Sequence, residues 1–225
     1  QGLYQKPTVV NNVETLVDVP WIVEHGGAAF AALGVGKSRG TKAVSLNERF
    51  ARPGLYEVEL GMSLRRVVDE VGGGMAGGAE LVGLQIGGPL GGIVPASALD
   101  TPLGFEELDA IGALLGHAGI VAFTAGTDMR EIARHLFEFG DAESCGKCFP
   151  CRIGMKQGLE LIDRMRARGG HEGDLVLLGD LLETMKLGSL CAHGGGLPAP
   201  IESIVRHWKD DLLAAPRGEG GGARA

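Results

Sequence analysis

Two short stretches of the chain read as strands, and the second alternates apolar and polar positions, the mark of one face on a core. Ala43 to Leu46 is the first. In the second, Leu55 to Leu60, Tyr56, Val58 and Leu60 share a face while Glu57 and Glu59 take the other. Arg52-Pro53-Gly54 between them supplies turn residues, so the pair is expected to form a hairpin. The period then changes. Ser63 stands where a helix cap belongs, and Leu64, Val67, Val68 and Val71 fall at i, i+3, i+4 and i+7 on one helical face. After a glycine-rich turn, Leu81 to Ile86 reads as another strand. Strand, strand, helix, strand predicts a small β-grasp (ubiquitin-like) layer with one helix across one sheet face.

On either side of this unit the period is helical. Gln1 to Val10 is extended around Pro7 and the β-branched Thr8, Val9 and Val10. Asn11-Asn12-Val13-Glu14-Thr15-Leu16 reads as a helix start, because an asparagine side chain can accept from the free N–H groups of a first turn. Such a terminus also suits a polar ligand, although capping is the simpler account of the two asparagines. Pro20 is expected to restart the helix, which continues through Trp21, Ile22, Val23, Phe30 and Leu33. Downstream, Ile120 to Phe123 is a strand candidate, and Thr127 is expected to cap a helix striped with Met129, Ile132, Ala133, Leu136 and Phe137. Three more helices are predicted. One carries Met155, Leu159 and Ile162; the next, opened by Asp174, carries Leu178, Leu181, Leu182 and Met185; the last, after Pro200, carries Ile201, Ile204, Val205 and Trp208. The fold class expected is α+β, a β-grasp layer followed by a helical bundle.

Composition narrows the chemistry. A chain of 225 residues can bury one large core or two small ones, and it has no run of eighteen apolar residues to span a membrane. A formal net charge of -7 argues against nucleic acid, which asks for a basic stripe. The 39 glycines punctuate periodic segments, and only Pro216 to Ala225 reads as a disordered tail. Gly87-Gly88-Pro89-Leu90-Gly91-Gly92 is expected to be a turn rather than a phosphate loop, because no lysine and no Ser/Thr-led helix follow it. No basic leader precedes an apolar segment, so a cytoplasmic protein is expected. The chain opens at Gln1 inside what reads as a motif, which suggests part of a longer polypeptide.

All four cysteines fall in two places. Ser144-Cys145-Gly146-Lys147-Cys148-Phe149-Pro150-Cys151-Arg152 holds three in a C-x₂-C-x₂-C run, and Cys191 sits alone on a glycine-rich loop. Thiolates two residues apart on a turn converge, so one loop can hold three corners of a cuboidal [4Fe–4S] cluster while a remote cysteine supplies the fourth. Structural zinc remains open, although it usually takes two separate pairs. Two disulfides would need an oxidising compartment, and a redox C-x-x-C would leave two cysteines over. His193 could replace a ligand, loop packing being its simpler role. Lys147, Arg152 and Lys156 gather near the run, either as a solvated helical turn or as positive charge offsetting a cluster. The bundle is expected to return Cys191 to the loop and to bury the cluster among Met, Leu and Phe. Gly146, Gly188 and Gly194 to Gly196 are expected to admit backbone N–H groups to the sulfurs. No Ser-His-Asp order, H-E-x-x-H or paired carboxylates suggest hydrolysis, and no catalytic residue is assigned.

Three segments taken together carry a resemblance. They are Gln1 to Leu16, with Lys6-Pro7-Thr8-Val9-Val10-Asn11-Asn12-Val13-Glu14-Thr15-Leu16; Glu143 to Gly154; and Gly188-Ser189-Leu190-Cys191. They resemble the NADH-binding flavoprotein subunit of respiratory complex I and its relatives, the diaphorase subunit of NAD-reducing hydrogenases and the beta subunit of NAD-dependent, molybdenum-containing formate dehydrogenases. The resemblance runs to about Leu213 and selects the iron–sulfur reading. It implies that Cys145, Cys148, Cys151 and Cys191 ligate one [4Fe–4S] cluster and that Val10, Asn11, Asn12 and Thr15 contact FMN. It implies three domains and a tail: 1–38, the helical end of an FMN/NADH-binding domain; 39–125, β-grasp with a connecting strand; 126–215, helical with the cluster; then 216–225. Hydride would pass between NAD(H) and FMN, and single electrons between FMN and the cluster. Partners implied are a small thioredoxin-like [2Fe–2S] subunit and a larger iron–sulfur or molybdenum catalytic subunit, in the cytoplasm or on the cytoplasmic side of a membrane-bound complex, with no direct membrane insertion. The family's glycine-rich flavin loop and acidic nicotinamide-side residues are absent, so this stretch alone is expected to hold FMN and NADH poorly. Ser45 to Phe50 and Cys191 to Gly196 look nearer the formate dehydrogenase branch. The alternative is a non-redox module in which a metal knuckle and the β-grasp layer serve docking.

Overall fold

The computed structural model describes residues 1–216; the expected disordered tail therefore lies, after Pro216, outside the described residues. Helices α1 (Val13–His25) and α2 (Gly27–Ala31) precede a minimal hairpin, β1 (Gly34–Val35) and β2 (Ser38–Arg39). Then come β3 (Thr41–Leu46), β4 (Gly54–Glu59) and α3 (Leu64–Arg66), which continues as a wider helical turn over Val67–Val71. Next are β5 (Leu81–Ile86), β6 (Ile93–Pro95), α4 (Phe105–Asp109) and β7 (Gly119–Thr124). The rest is helical: α5 (Met129–Ala142), α6 (Phe149–Arg168), α7 (Glu172–Gly188), α8 (Ala192–Gly196), α9 (Pro198–His207) and α10 (Lys209–Leu213).

Five strands form one sheet in the order β4-β3-β7-β5-β6, antiparallel except where β7 runs beside β3. The expected hairpin is present, with Leu46 opposite Gly54. Val44, Leu46, Val58, Leu84, Ile86 and Ile120 share one buried core with Leu64, Val67 and Val68 of the expected helix. Burying each such side chain contributes roughly 1.5–3 kcal/mol. A one-residue slip of β4 would turn Glu57 and Glu59 inward, so the register is strongly determined. Gly87 and Gly88 both take positive φ in the connection from β5 to β6, the turn expected there.

The sheet contributes to a second core. Ile93 and Phe123 join Met129, Leu136, Phe137, Met155, Ile162, Met185 and Ile201 between the sheet and the long helices. One polar stitch crosses this boundary: the Ile93 N–H donates to Ser203 Oγ at 2.8 Å, and that hydroxyl donates to the Pro200 carbonyl at 2.6 Å. Glycines set the helix spacing. A Cβ added to Gly158 would lie 2.1 Å from the Phe137 ring, and one on Gly154 would lie 2.6 Å from Met185 Cγ. At these two points α6 meets α5 and α7 with no side chain of its own interposed.

Helix ends depart from the sequence expectation in four places. Thr127 does not cap α5: its hydroxyl donates to the Thr124 carbonyl, while Asp128 accepts from the Arg130 N–H at 2.9 Å, a carboxylate suiting the positive end of the helix better. Asp174 does not open α7. His171 is the cap, and Asp174, three residues in, reaches back to the His171 N–H at 3.0 Å. Helix α9 begins at Pro198, both of its prolines lying where the N–H has no helical partner. Pro20 does not restart α1, which runs through it; no residue of that helix is buried, so water can serve the carbonyl that Pro20 leaves unpaired. The break comes at Gly26, whose φ is +89.

Candidate metal centre

The cysteine run lies between the end of α5 and the start of α6. Gly146 takes φ +71, which turns the chain between Cys145 and Cys148 at little steric cost. Cys148 is the residue before the first turn of α6, Pro150 sits in that turn, and Cys151 follows, buried. Cys191 arrives from the far end of α7 and precedes α8. Two glycines let this second segment press against the first. A Cβ on Gly188 would meet Pro150 Cγ at 2.8 Å, and one on Gly194 would lie 2.6 Å from Ser189 Oγ and 2.7 Å from Cys151 Cβ.

Cys151 senses the other three cysteines electrostatically. Burial pushes the Cys151 thiol up, and charge on Cys148, Cys191 and Cys145 pushes it further, against the opposing pull of the Ser144 hydroxyl 3.3 Å away. Cys148 shifts the other way. The Leu190 N–H is the largest cause, aided by the Cys151 N–H and the Ser189 hydroxyl, and together they hold the thiol below its ordinary range despite burial. One site thus collects four sulfurs, backbone donors and two serines at the positive end of a twenty-residue helix.

These residues fit an iron–sulfur cluster. Ser189 Oγ is buried, with no partner within full hydrogen-bond geometry among the described residues, and it faces the thiols. A hydroxyl so placed can donate to a bound sulfur. Among the described residues no three His, Cys, Asp or Glu side chains draw close enough to share a single metal ion.

Some expectations are corrected here. The cluster position is not buried among Met, Leu and Phe: Cys145 and Cys191 are exposed, and neighbouring Phe149, Leu187 and Leu190 are 67%, 77% and 72% exposed. Cys151 is buried in the core beside Met155 and Met185 and half-buried Cys148 packs against it, whereas Cys145 and Cys191 stand near helix ends, where chain segments meet solvent. The glycines act by removing bulk at Pro150 and Cys151; the N–H groups directed at Cys148 come from Leu190 and Cys151. His193, by contrast, takes the packing role expected of it, its Nε2 lying 3.0 Å from the Gly140 carbonyl and its ring against the edge of Phe139. Arg152 braces the loop by donating to the Gly146 carbonyl at 3.2 Å, and Lys156 lies 3.9 Å from Asp141. Ser144, Ser189 and Leu190 were not singled out for this role from sequence; a serine beside Cys145 and another two residues before Cys191 were the available signal.

Val10, Asn11, Asn12 and Thr15 form a second, exposed group at the start of α1. Asn12 caps that helix, its Oδ1 accepting from the Glu14 N–H at 2.9 Å, as the simpler reading required.

Residues 131–215 match the family described as the NADH-ubiquinone oxidoreductase-F iron-sulfur binding region. The chain is 38% identical over 213 residues to an NADH-quinone oxidoreductase subunit of Rhizobium meliloti (strain 1021), covering 95% of this chain and 51% of that one. It is 39% identical over 213 residues to the NADP-reducing hydrogenase subunit HndC of Solidesulfovibrio fructosivorans, covering 95% and 44%. The chain spans about half the length of the curated relatives it matches. A solved NAD+-reducing [NiFe]-hydrogenase in the H2-reduced state superposes with a TM-score of 0.82 at 34% identity, over 95% of this chain and 36% of that chain.

Proposed function

Because residues 131–215 belong to the NADH-ubiquinone oxidoreductase-F iron–sulfur binding region, we propose that this chain is the electron-carrying half of an NAD(H)-linked flavoprotein subunit. The single observation that carries the reading is the gathering of Cys145, Cys148, Cys151 and Cys191 by two unconnected segments. A [4Fe–4S] cluster bound there supplies a carrier for one electron at a time. The chain's own residues do the rest. Four thiolates hold the cluster, the Leu190 and Cys151 N–H groups and the Ser144 and Ser189 hydroxyls offset its negative charge, and Gly194 leaves the room that a methyl group would fill.

Residues 1–38 are proposed as the helical end of the FMN/NADH-binding domain, 39–125 as a β-grasp domain with its connecting strand, and 126–215 as the cluster domain. Support for the middle one is the helix laid across one face of a mixed sheet. Val10, Asn11, Asn12 and Thr15 are proposed to contact FMN, completed by the half of the relatives that this chain does not cover; alone it would be inactive. The parent assembly is proposed as a quinone-, hydrogenase- or formate-linked dehydrogenase, with a small thioredoxin-like [2Fe–2S] subunit and a larger iron–sulfur or molybdenum catalytic subunit as neighbours. No helix among the described residues is long and apolar enough to cross a membrane. A place on the cytoplasmic side of the assembly is part of the proposal.

The test uses the full-length subunit in its complex. NADH is expected to bleach the cluster absorbance in wild type and to leave it unchanged in Cys191→Ala. Equal bleaching in both would overturn the ligand assignment.

A further inference from the structure

Helix α1 presents no buried residue to the rest of the molecule, yet one of its side chains is fastened to the sheet. The Glu14 carboxylate takes an ion pair from Lys42 through one oxygen and the Ala43 N–H, at 2.8 Å, through the other. Lys42 has only 12% of its side chain exposed, and Glu14 31%. Its ammonium also faces Asp18 and, through it, the crowd of carboxylates completed by Glu57; burial and these like charges push Asp18 above its ordinary value. The cleft they line, about 750 Å³, begins at Asn12.

We propose that Glu14 is a positioning residue that locks the flavin-contacting turn to the sheet and thereby fixes its place relative to the cysteine cluster. The path is continuous. Glu14 lies between Asn12 and Thr15, and its oxygens grip Lys42 and Ala43 on β3. Strand β3 pairs in parallel with β7, Ser45 opposite Gly119 and Leu46 opposite Ile120. Strand β7 feeds α5, and α5 ends at the loop that holds Cys145. Electron tunnelling falls steeply with separation, so a turn free to swing would slow transfer even with both centres intact. A charged hydrogen bond on a half-buried carboxylate is a stronger tether than a surface ion pair, because the donors it satisfies are withdrawn from water.

The inference rests on the proposal that Asn11 and its neighbours contact FMN, and the test separates the two. In the full-length subunit within its complex, three variants are compared with wild type: Glu14→Gln, the exchange Glu14→Lys with Lys42→Glu, and Asn11→Ala. FMN affinity is read by quenching of added FMN fluorescence; flavin and cluster bleaching are followed separately after mixing with NADH; iron content is the folding control. Glu14→Gln is expected to weaken FMN binding several-fold and to slow cluster bleaching about tenfold at saturating FMN, with flavin bleaching and iron content unchanged. The charge exchange is expected to recover part of the transfer rate. If Asn11→Ala weakens FMN binding while Glu14→Gln leaves affinity and transfer at wild-type values, the lock is overturned and the flavin contact stands. If Asn11→Ala is also silent, the flavin contact has failed and the lock falls with it.

Discussion

At Cys151 burial and neighbouring charge both disfavour the thiolate, while at Cys148 backbone N–H groups favour it. Thiolates drawn toward one site repel one another, and a cation-rich core bound among them would relieve the repulsion. Gly194 decides whether such a core fits. Gly194→Ala puts a methyl 2.6 Å from Ser189 Oγ and 2.7 Å from Cys151 Cβ, and neither neighbour is the free end of a flexible chain. The expected outcome is at least a several-fold loss of iron per protein after anaerobic purification, read by metal analysis, with a destabilisation of about 1–3 kcal/mol. The proposed ligand set comes from the sequence, where C-x₂-C-x₂-C with one remote cysteine is a sparse pattern. Ser144, Ser189 and the Leu190 N–H were not legible there, since a hydroxyl or an amide becomes a donor to sulfur only once a second segment is laid beside it.

Among the elements, α6 and α7 carry most of the load of returning Cys191 to the loop. Gly158→Ala drives a methyl into the Phe137 ring, and we expect a destabilisation of about 1–3 kcal/mol in chemical denaturation together with reduced iron loading, because α6 must shift. At the head of α7 burial would raise Asp174, but the His171 N–H and the Arg164 and Arg168 guanidiniums outweigh it and hold the carboxyl below its ordinary 3.8. A folded-state value below the unfolded one contributes stability above the ordinary titration range and loses it as pH falls through the depressed value. Asp174→Asn is expected to cost about 1.5–3 kcal/mol at pH 7, with the gap to wild type narrowing below about pH 4, as measured by urea midpoints across pH. Apolar periodicity revealed each long helix and the β3–β4 hairpin. It misplaced the ends, where Asp128, His171 and Pro198 act through local hydrogen bonding that period does not encode. It also passed over β6, three residues with no room to show alternation, and α4, one turn led by glutamates.

For the whole molecule, the sheet and the helical layer share a second core, and the buried Ile93–Ser203–Pro200 relay is the polar joint between them. Ser203→Ala leaves the Ile93 N–H without its acceptor; a loss of about 1–3 kcal/mol follows, seen as a drop of several degrees in the melting midpoint and faster amide exchange at Ile93. Arg130, 2% exposed, closes the other side by pairing with Asp128 and donating to the Ala214 carbonyl at 3.0 Å, so the end of the helical layer is pinned to the start of α5. The α+β class was readable from the switch of period along the chain. The close packing of α5, α6 and α7 was not, because it depends on glycines whose partners lie on other helices. The most direct test of the account is iron, zinc and acid-labile sulfide per chain after anaerobic purification, with electron-spin resonance before and after dithionite. The account predicts a brown protein with about four irons and four sulfides, bleaching on reduction and gaining a resonance signal. A colourless protein with about one zinc and no sulfide would contradict it.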